Sequence, residues 1–341
     1  MKKKELEDSK EKILKKIDDS DNFAILVSDP DTDAVGTGLA MEEILESLGK
    51  SSKLYSSFDL KDFSYLPRFE KFIIKDISKL DFSKFECLIV LDSAEPRRLV
   101  DETKGQKLNS IPKVSFIINI DHHASNILFG DINYVPTDPI ISSTAEAVFD
   151  IFEKELKITK SLATNLLFAI IGDTASFKYT TSINPQLFRI VANLLEKGAD
   201  HRMIVQETFY SYDPKIMKMN FEILNNFKTK KVGKYTYAYT FLDMDKYHLT
   251  DVHRYQVHIV KEMLRSIKGT DFAVMIRFTK NKKTKLSFRS RNVEVVKLAE
   301  ALGGGGHREA AAAPMNATKE EAIEKLNSLL KKIELPVVKT H

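Results

Sequence analysis

Four apolar runs in the first half of this chain each end on acidic residues, and that repetition constrains its fold more than any other feature. Phe23 to Val27 runs into Ser28-Asp29-Pro30-Asp31-Thr32-Asp33, and Cys87 to Leu91 into Asp92. Phe116 to Ile120 runs into Asp121-His122-His123, and the longer run ending at Ile171 into Gly172-Asp173. The first three are short, rich in Ile and Val, and separated by helical patterns. Such runs are buried strands of a mainly parallel sheet covered on both faces. Open parallel sheets bind ligands beyond the carboxyl ends of their strands, so these acids are predicted to meet at one edge.

Taken singly, each cluster has an ordinary explanation. Asp-Pro-Asp-Thr-Asp is turn and helix-cap composition, and Asp92 could cap the element that follows. Convergence changes the balance, because carboxylates gathered at one edge repel by several kcal/mol unless a cation neutralises them. Carboxylate and imidazole without thiolate favour Mn²⁺, with Mg²⁺ as the alternative. Five side chains exceed what one ion usually takes from a hydrolytic site. Two ions sharing a carboxylate are therefore expected, which is the two-metal solution to phosphoester hydrolysis.

The 341 residues, 43% hydrophobic and 29% charged, suffice for two domains of conventional size. A lone cysteine, Cys87, excludes an intramolecular disulfide and a cysteine-based zinc site, which suits a reducing compartment. Leu162 to Ile171 is far shorter than the roughly 18 residues of a membrane span, and Met-Lys-Lys-Lys-Glu-Leu-Glu-Asp lacks the apolar core of a signal peptide. A cytoplasmic protein with no membrane partner is expected, with a homodimer left open. Net charge is only +4, but Arg277, Lys280, Lys282, Lys283, Lys285, Arg289 and Arg291 follow one another without a carboxylate among them. That stretch suits an anionic ligand, or equally a solvated hairpin loop around Asn281.

The expected organisation is α/β: a mainly parallel-sheet domain over 1–190, a helical connector over 191–230, and a smaller α/β domain over 231–341. Helices are predicted at Lys3 to Ile17, Gly38 to Leu48, after Asn184-Pro185, and at Pro214 to Asn225, Tyr255 to Ile267, Val293 to Leu302 and Lys319 to Ile333. Strands of the second domain are predicted at Tyr235 to Leu242, Phe272 to Thr279 and Lys285 to Arg289. The run Gly303 to Gly306 permits positive φ and close approach of backbone N–H groups to an anion, and a helix expected after His307 would add partial positive charge. Alone, a glycine run is usually a flexible loop. Beside Arg289, Ser290 and Arg291, the residues Gly304, Gly305, Gly306 and His307 read as a clamp for a phosphate or a base. His201, His248, His253, His258 and His341 have no ligand spacing.

Asp31-x-Asp33, Asp92, Asp121-His122-His123 and Asp173, in this order and each behind an apolar run, resemble motifs I to IV of the DHH phosphoesterase superfamily. Lys285-Leu-Ser-Phe-Arg-Ser-Arg291, followed by Gly-Gly-Gly-Gly-His307, is similar to that family's associated C-terminal domain. The branch resembled combines oligoribonuclease (nanoRNase) and 3′-phosphoadenosine 5′-phosphate phosphatase activity and includes phosphodiesterases of linear dinucleotides. The resemblance implies two Mn²⁺ ions: Asp31 on the first, Asp33 on the second, Asp92 bridging, and His122 and Asp173 completing the second. His123 would face the scissile phosphate and Asp121 would orient the pair. The C-terminal domain would hold a short RNA, a linear dinucleotide or a nucleoside bisphosphate. Two positions depart from the pattern. Val27 stands where the family usually has a histidine ligand to the first ion, and Asp29 offers a carboxylate in its place; Ala312 stands where glycine is usual. Rival expectations are a RecJ-like single-strand exonuclease, a manganese-dependent pyrophosphatase, which lacks the glycine-histidine motif, and a nucleotide sensor whose first metal site is impaired.

Overall fold

Strand β1 (Asn22–Val27) is buried along almost its whole length and is the centre of the first sheet. The computed structural model describes residues 1–101, 104–111, 115–137, 141–154, 157–179, 182–247 and 257–338. It divides into two units, Met1–Tyr210 and Ser211–His341. His248, His253 and His341, and the first residues of the helix predicted from Tyr255, lie outside the described residues. No described helix is long and apolar enough to cross a membrane.

In the first unit, α1 (Lys3–Asp18) leads into β1, α2 (Thr32–Ser47), β2 (Ser51–Ser56), β3 (Phe72–Ile74), β4 (Cys87–Leu91), β5 (Ile117–Ile120) and β6 (Ile132–Tyr134). Helices α3 (Thr144–Phe152), α4 (Lys160–Asp173), α5 (Pro185–Glu196) and α6 (His201–Phe209) follow. All strand pairs are parallel, in the order β3-β2-β1-β4-β5-β6. The order reverses between β1 and β4, the switch point where such sheets open a crevice at their carboxyl ends. One sheet face packs Ala24, Leu26, Leu88 and Val90 against Phe82, Phe85 and Leu99. On the other, Val27 lies under Gly38 of α2, where an added Cβ would come within 2.7 Å of its Cγ1.

The helix predicted from Gly38 begins instead at Thr32, because Asp31 caps it by accepting from the Ala34 N–H at 2.9 Å. Its early glycines are close-approach sites. Added Cβ atoms would lie 2.6 Å from the Asn165 carbonyl at Gly36 and, from the α4 side, 1.8 Å from Thr32 Oγ1 at Gly172. The two helices therefore cross at near-backbone distance, which sets the end of α4 beside the start of α2.

The second unit contains α7 (Pro214–Asn225), β7 (Lys228–Val232), β8 (Tyr235–Asp243), α8 (His258–Arg265), β9 (Phe272–Phe278), β10 (Lys283–Ser290), α9 (Val296–Ala301), β11 (Gly305–Gly306), β12 (Ala310–Asn316) and α10 (Lys319–Leu330). Its mixed sheet runs β11-β12-β10-β9-β8-β7, with β8 and β9 parallel and the other pairs antiparallel. One face packs α10, through Ala322, Leu326 and Leu330, over Val274, Ile276, Leu286 and Phe288. Ala273 and Met275 face α7 and α8 on the other. No helix starts directly after His307, which corrects the expectation above: Ala310 to Ala313 are in β12, paired with β10.

Candidate active site

The crevice at the switch point is built from loops that leave β1, β4 and β5 and from the ends of α3 and α4. Asp33, Asp92 and His122 are buried and offer ligand atoms within 4.8 Å of one another. His122 Nε2 lies 3.6 Å from Asp33 Oδ2, 3.9 Å from Asp92 Oδ1 and 3.2 Å from Asp173 Oδ2. This donor set, two hard carboxylates and an imidazole with a third carboxylate beside them, fits a divalent cation of the Mn²⁺ or Mg²⁺ type.

The candidate ligands Asp33 and Asp92 are held by the scaffold. Asp33 accepts from the Thr144 and Ala145 N–H groups at the start of α3, at 2.6 and 3.1 Å, and from Thr37 Oγ1 at 2.9 Å. Asp92 accepts from Thr144 Oγ1 at 3.1 Å and Ser28 Oγ at 3.4 Å. His123 Nδ1 lies 2.7 Å from Asp121 Oδ1, whose other oxygen accepts from Asn126 Nδ2 at 2.6 Å. A carboxylate on Nδ1 fixes that nitrogen as the donor and leaves Nε2 as the atom for ligand chemistry. Asp31 is the N-cap of α2, and Asp29 lies 3.8 Å from the Arg98 guanidinium.

Backbone strain concentrates at the same place. Asp92 has φ 52°, and Ala175, Ser176 and Phe177, directly after α4, have φ 48°, 57° and 63°. Left-handed backbone costs a non-glycine residue about 1–2 kcal/mol, so the surrounding structure must over-determine it. Here Thr174 does so, donating from Oγ1 to the Ile170 carbonyl and accepting from the Phe177 N–H.

The electrostatics follow from burying so many acids. Burial first, then the charges of Asp33 and Asp29, pushes Asp31 up to about 7 against the pull of the Ala34 N–H and Arg98. Burial likewise pushes Asp173 up to about 7, helped by Asp33 and Asp31 and opposed by His122. Asp92 is raised well above the carboxylate range by burial and by Asp31 and Asp33. For Asp121, burial is outweighed by His123, which holds the carboxyl low. Burial acts to lower both histidines; Asp173 and Asp33 reverse this for His122, whereas His123 stays below its usual value.

Raised carboxyls bind protons more tightly folded than unfolded, so the stability that Asp31 and Asp173 contribute to the metal-free protein is fully present below the ordinary carboxylate range. That contribution is lost as pH rises towards about 7, where the two ionise. Mn²⁺ should reverse this trend, since it binds the ionised form. Thermal unfolding at several pH values, with chelator and with Mn²⁺, checks it; parallel pH curves in the two conditions would contradict it.

In the second unit, Arg289 pairs with Ala310 across β10 and β12, and Ala310 exchanges backbone hydrogen bonds with His307. Gly305 and Gly306 pair with Ala312 and Ala311. Gly304 can only be glycine, since its Cβ would lie 2.0 Å from the Ala312 carbonyl oxygen. Arg289 donates from Nη1 to the Phe288 carbonyl while its buried Nε has no hydrogen-bond partner among the described residues. Ser290 is buried; its hydroxyl donates to the Asp271 carbonyl and accepts from Asn292 and Val293, so it braces the loop. Arg291 is exposed.

Several residues that matter here were not singled out from sequence. Thr144 and Ser28 hold Asp92, and Arg98 faces the acids. Lys261 of α8 lies near Arg289, Arg277 and Lys285, and burial together with those cations drives its ammonium well down. A signal existed for Thr144: Ser143 accepts from the Glu146 N–H and Glu146 accepts from Ser142, the cap pattern that sets the start of α3. Lys261 had no comparable signal, because α8 meets the basic strands only in the folded sheet.

The DHH family N-terminal domain matches residues 22–170 and the DHHA1 domain matches 234–334. The chain is 29% identical over 293 residues to the bifunctional oligoribonuclease and PAP phosphatase NrnA of Thermus thermophilus, covering 84% of this chain and 82% of that protein. An exopolyphosphatase-related protein from Bacteroides fragilis has the same fold, with a TM-score of 0.80 at 24% identity over 95% of this chain and 97% of that one. RecJ of Thermus thermophilus, solved with Mn²⁺, is similar in fold at a TM-score of 0.50 and 13% identity, over 98% of this chain and 56% of RecJ.

Proposed function

Because the chain belongs to the DHH phosphoesterases that carry a DHHA1 domain, we propose that it hydrolyses short oligoribonucleotides or linear dinucleotides to 5′-mononucleotides, or 3′-phosphoadenosine 5′-phosphate to AMP and phosphate. The observation that carries this reading is the buried meeting of Asp33, Asp92 and His122, with Asp173 at 3.2 Å from the imidazole. We take Mn²⁺, two ions with Asp92 shared, as the cofactor and the cytoplasm as the location. Bound divalent cations would supply Lewis-acid stabilisation of charge at phosphorus and a more acidic water.

The chain's own residues do the rest. Asp121 fixes the His123 Nδ1 proton, so Nε2 is the nitrogen that would meet the phosphoryl oxygens, and the neutral imidazole can receive a proton there. Arg289, whose buried Nε has no partner among the described residues, suits a terminal phosphate. Gly305 and Gly306 pair with β12, the strand that also pairs with β10 at Arg289.

Incubating the protein with Mn²⁺ and, separately, a short RNA, a linear diadenylate, 3′-phosphoadenosine 5′-phosphate, a long single strand and pyrophosphate tests the reading. Mononucleotide or AMP from the first three is expected. Turnover confined to the long strand or to pyrophosphate would overturn it, and binding without product would leave a sensor. Replacing Arg289 with alanine is expected to raise KM by about tenfold or more with little change in kcat, since a charge-assisted hydrogen bond made equally in ground and transition states is lost. Steady-state kinetics check this; a fall in kcat alone would remove Arg289 from ground-state binding.

A further inference from the structure

Cations and carboxylates are unevenly shared across the metal-binding crevice. At one end Asp33 and Asp173 lie against His122, and the N–H groups of α3 hold Asp33. At the other end, Arg98 sits on the short turn Pro96–Leu99 that follows β4. Its neighbour Arg97 turns outward to Glu95 at 2.7 Å, while Arg98 turns inward. Its guanidinium lies 3.8 Å from Asp29, and the charges acting on it most strongly are Asp29, Asp92, Asp121 and Asp31. Asp31 is occupied in capping α2, and Val27 is a core residue with no donor atom.

We propose that Arg98 is a built-in cation of the Asp29–Asp31 end, so that the two metal positions are unequal: an ion fills the Asp33–Asp92–His122–Asp173 position first, and the second enters only by competing with the guanidinium for Asp29 and Asp31. This rests on the metal-dependent reading of the site. It extends that reading by making the divalent-cation concentration, through one arginine, set the fraction of molecules that hold both ions. The physical basis is charge. A fixed positive group within a few ångströms of Asp29 lowers the attraction of that end for any further cation, while His122 and Asp173 at the opposite end have no arginine or lysine among their strongest neighbours.

The test counts ions on the full chain without substrate, by calorimetry and by the electron paramagnetic resonance signal of free Mn²⁺. Wild type is expected to bind one ion tightly and a second at least about tenfold more weakly. Arg98→Met should strengthen the weak site until the two lie within about threefold, whereas Arg98→Lys should keep the gap. Two equal sites in wild type, or an unchanged gap in Arg98→Met, would overturn the proposal. Should Arg98→Met not fold, His122→Ala decides: loss of the tight ion with the weak one retained supports the filling order, and retention of the tight ion overturns it. No hydrolysis enters the measurement, so a chain that cleaves none of the proposed substrates can still show unequal sites. Failure of this inference and failure of the proposed function are thus told apart.

Discussion

Asp92→Asn is expected to move stability and metal binding in opposite directions. The residue sits at φ 52°, a conformation asparagine tolerates better than most residues, so the backbone should hold. Its neighbours Thr144 and Ser28 carry hydroxyls that can turn to accept from the new amide. Asparagine is neutral at every pH, so it removes the cost of ionising Asp92 among Asp31, Asp33 and Asp121, and the metal-free variant should melt above metal-free wild type once pH is high enough to ionise Asp92. Mn²⁺ affinity should fall by more than the roughly 10- to 100-fold that loss of an outer-sphere partner costs, and turnover with it. Unfolding curves with and without Mn²⁺ read both effects. A variant that melts lower without metal and keeps near-normal turnover would show that Asp92 neither carries excess charge nor shares an ion.

The first sheet was legible because its central strands are continuous apolar runs, and the acids behind them fall where a parallel sheet opens. β2 and β3 were not legible: Ser51-Ser-Lys-Leu-Tyr-Ser56 has no apolar run, and β3 is a three-residue strand on the sheet's edge. Pairing with an already formed neighbour, not propensity, makes them strands. Glycine weakens a helix by about 1 kcal/mol relative to alanine, so sequence pattern alone predicts a later start for α2 and hides the reason Gly36 and Gly38 are there. Both are contact points, with Asn165 and with Val27.

The second unit shows the converse error. Ala310 to Ala313 has the highest intrinsic helix propensity in the chain, yet it lies in a strand. The reason is steric: Gly304 and Gly306 approach the Ala312 and Ala310 carbonyls so closely that even a Cβ on either glycine would not fit. Small residues on both strands let β11 join the edge of β12, and no local pattern announces that. The basic stretch was visible as composition, but which cations share a face was not. Register puts Arg277 opposite Lys285, and alternation keeps Lys285 and Arg289 on one side of β10. Arg98 was hidden differently, in an unremarked Pro-Arg-Arg turn whose importance comes only from the carboxylates folded against it.

Gly172→Ala tests the link between helix packing and the metal-binding crevice. The new methyl would fall 1.8 Å from Thr32 Oγ1 and 2.3 Å from Thr32 Cβ, in a site where Thr32 is buried and short and cannot swing away. Helix α4 must move from α2, and Asp173, the next residue, moves with it out of reach of His122. Overpacking of this kind costs about 1–3 kcal/mol, and each kcal/mol lowers Tm by about 2–4 °C in a unit of this size. Loss of Mn²⁺ affinity should exceed what that destabilisation alone explains. The companion change Thr32→Gly removes the obstructing side chain, so the double variant should be more stable than Gly172→Ala alone and recover part of its Mn²⁺ affinity, a coupling that distant sites would not show. Calorimetric Mn²⁺ titration and thermal unfolding of the wild type, both single variants and the double variant measure it. Additive effects would mean that the α2–α4 crossing does not position Asp173.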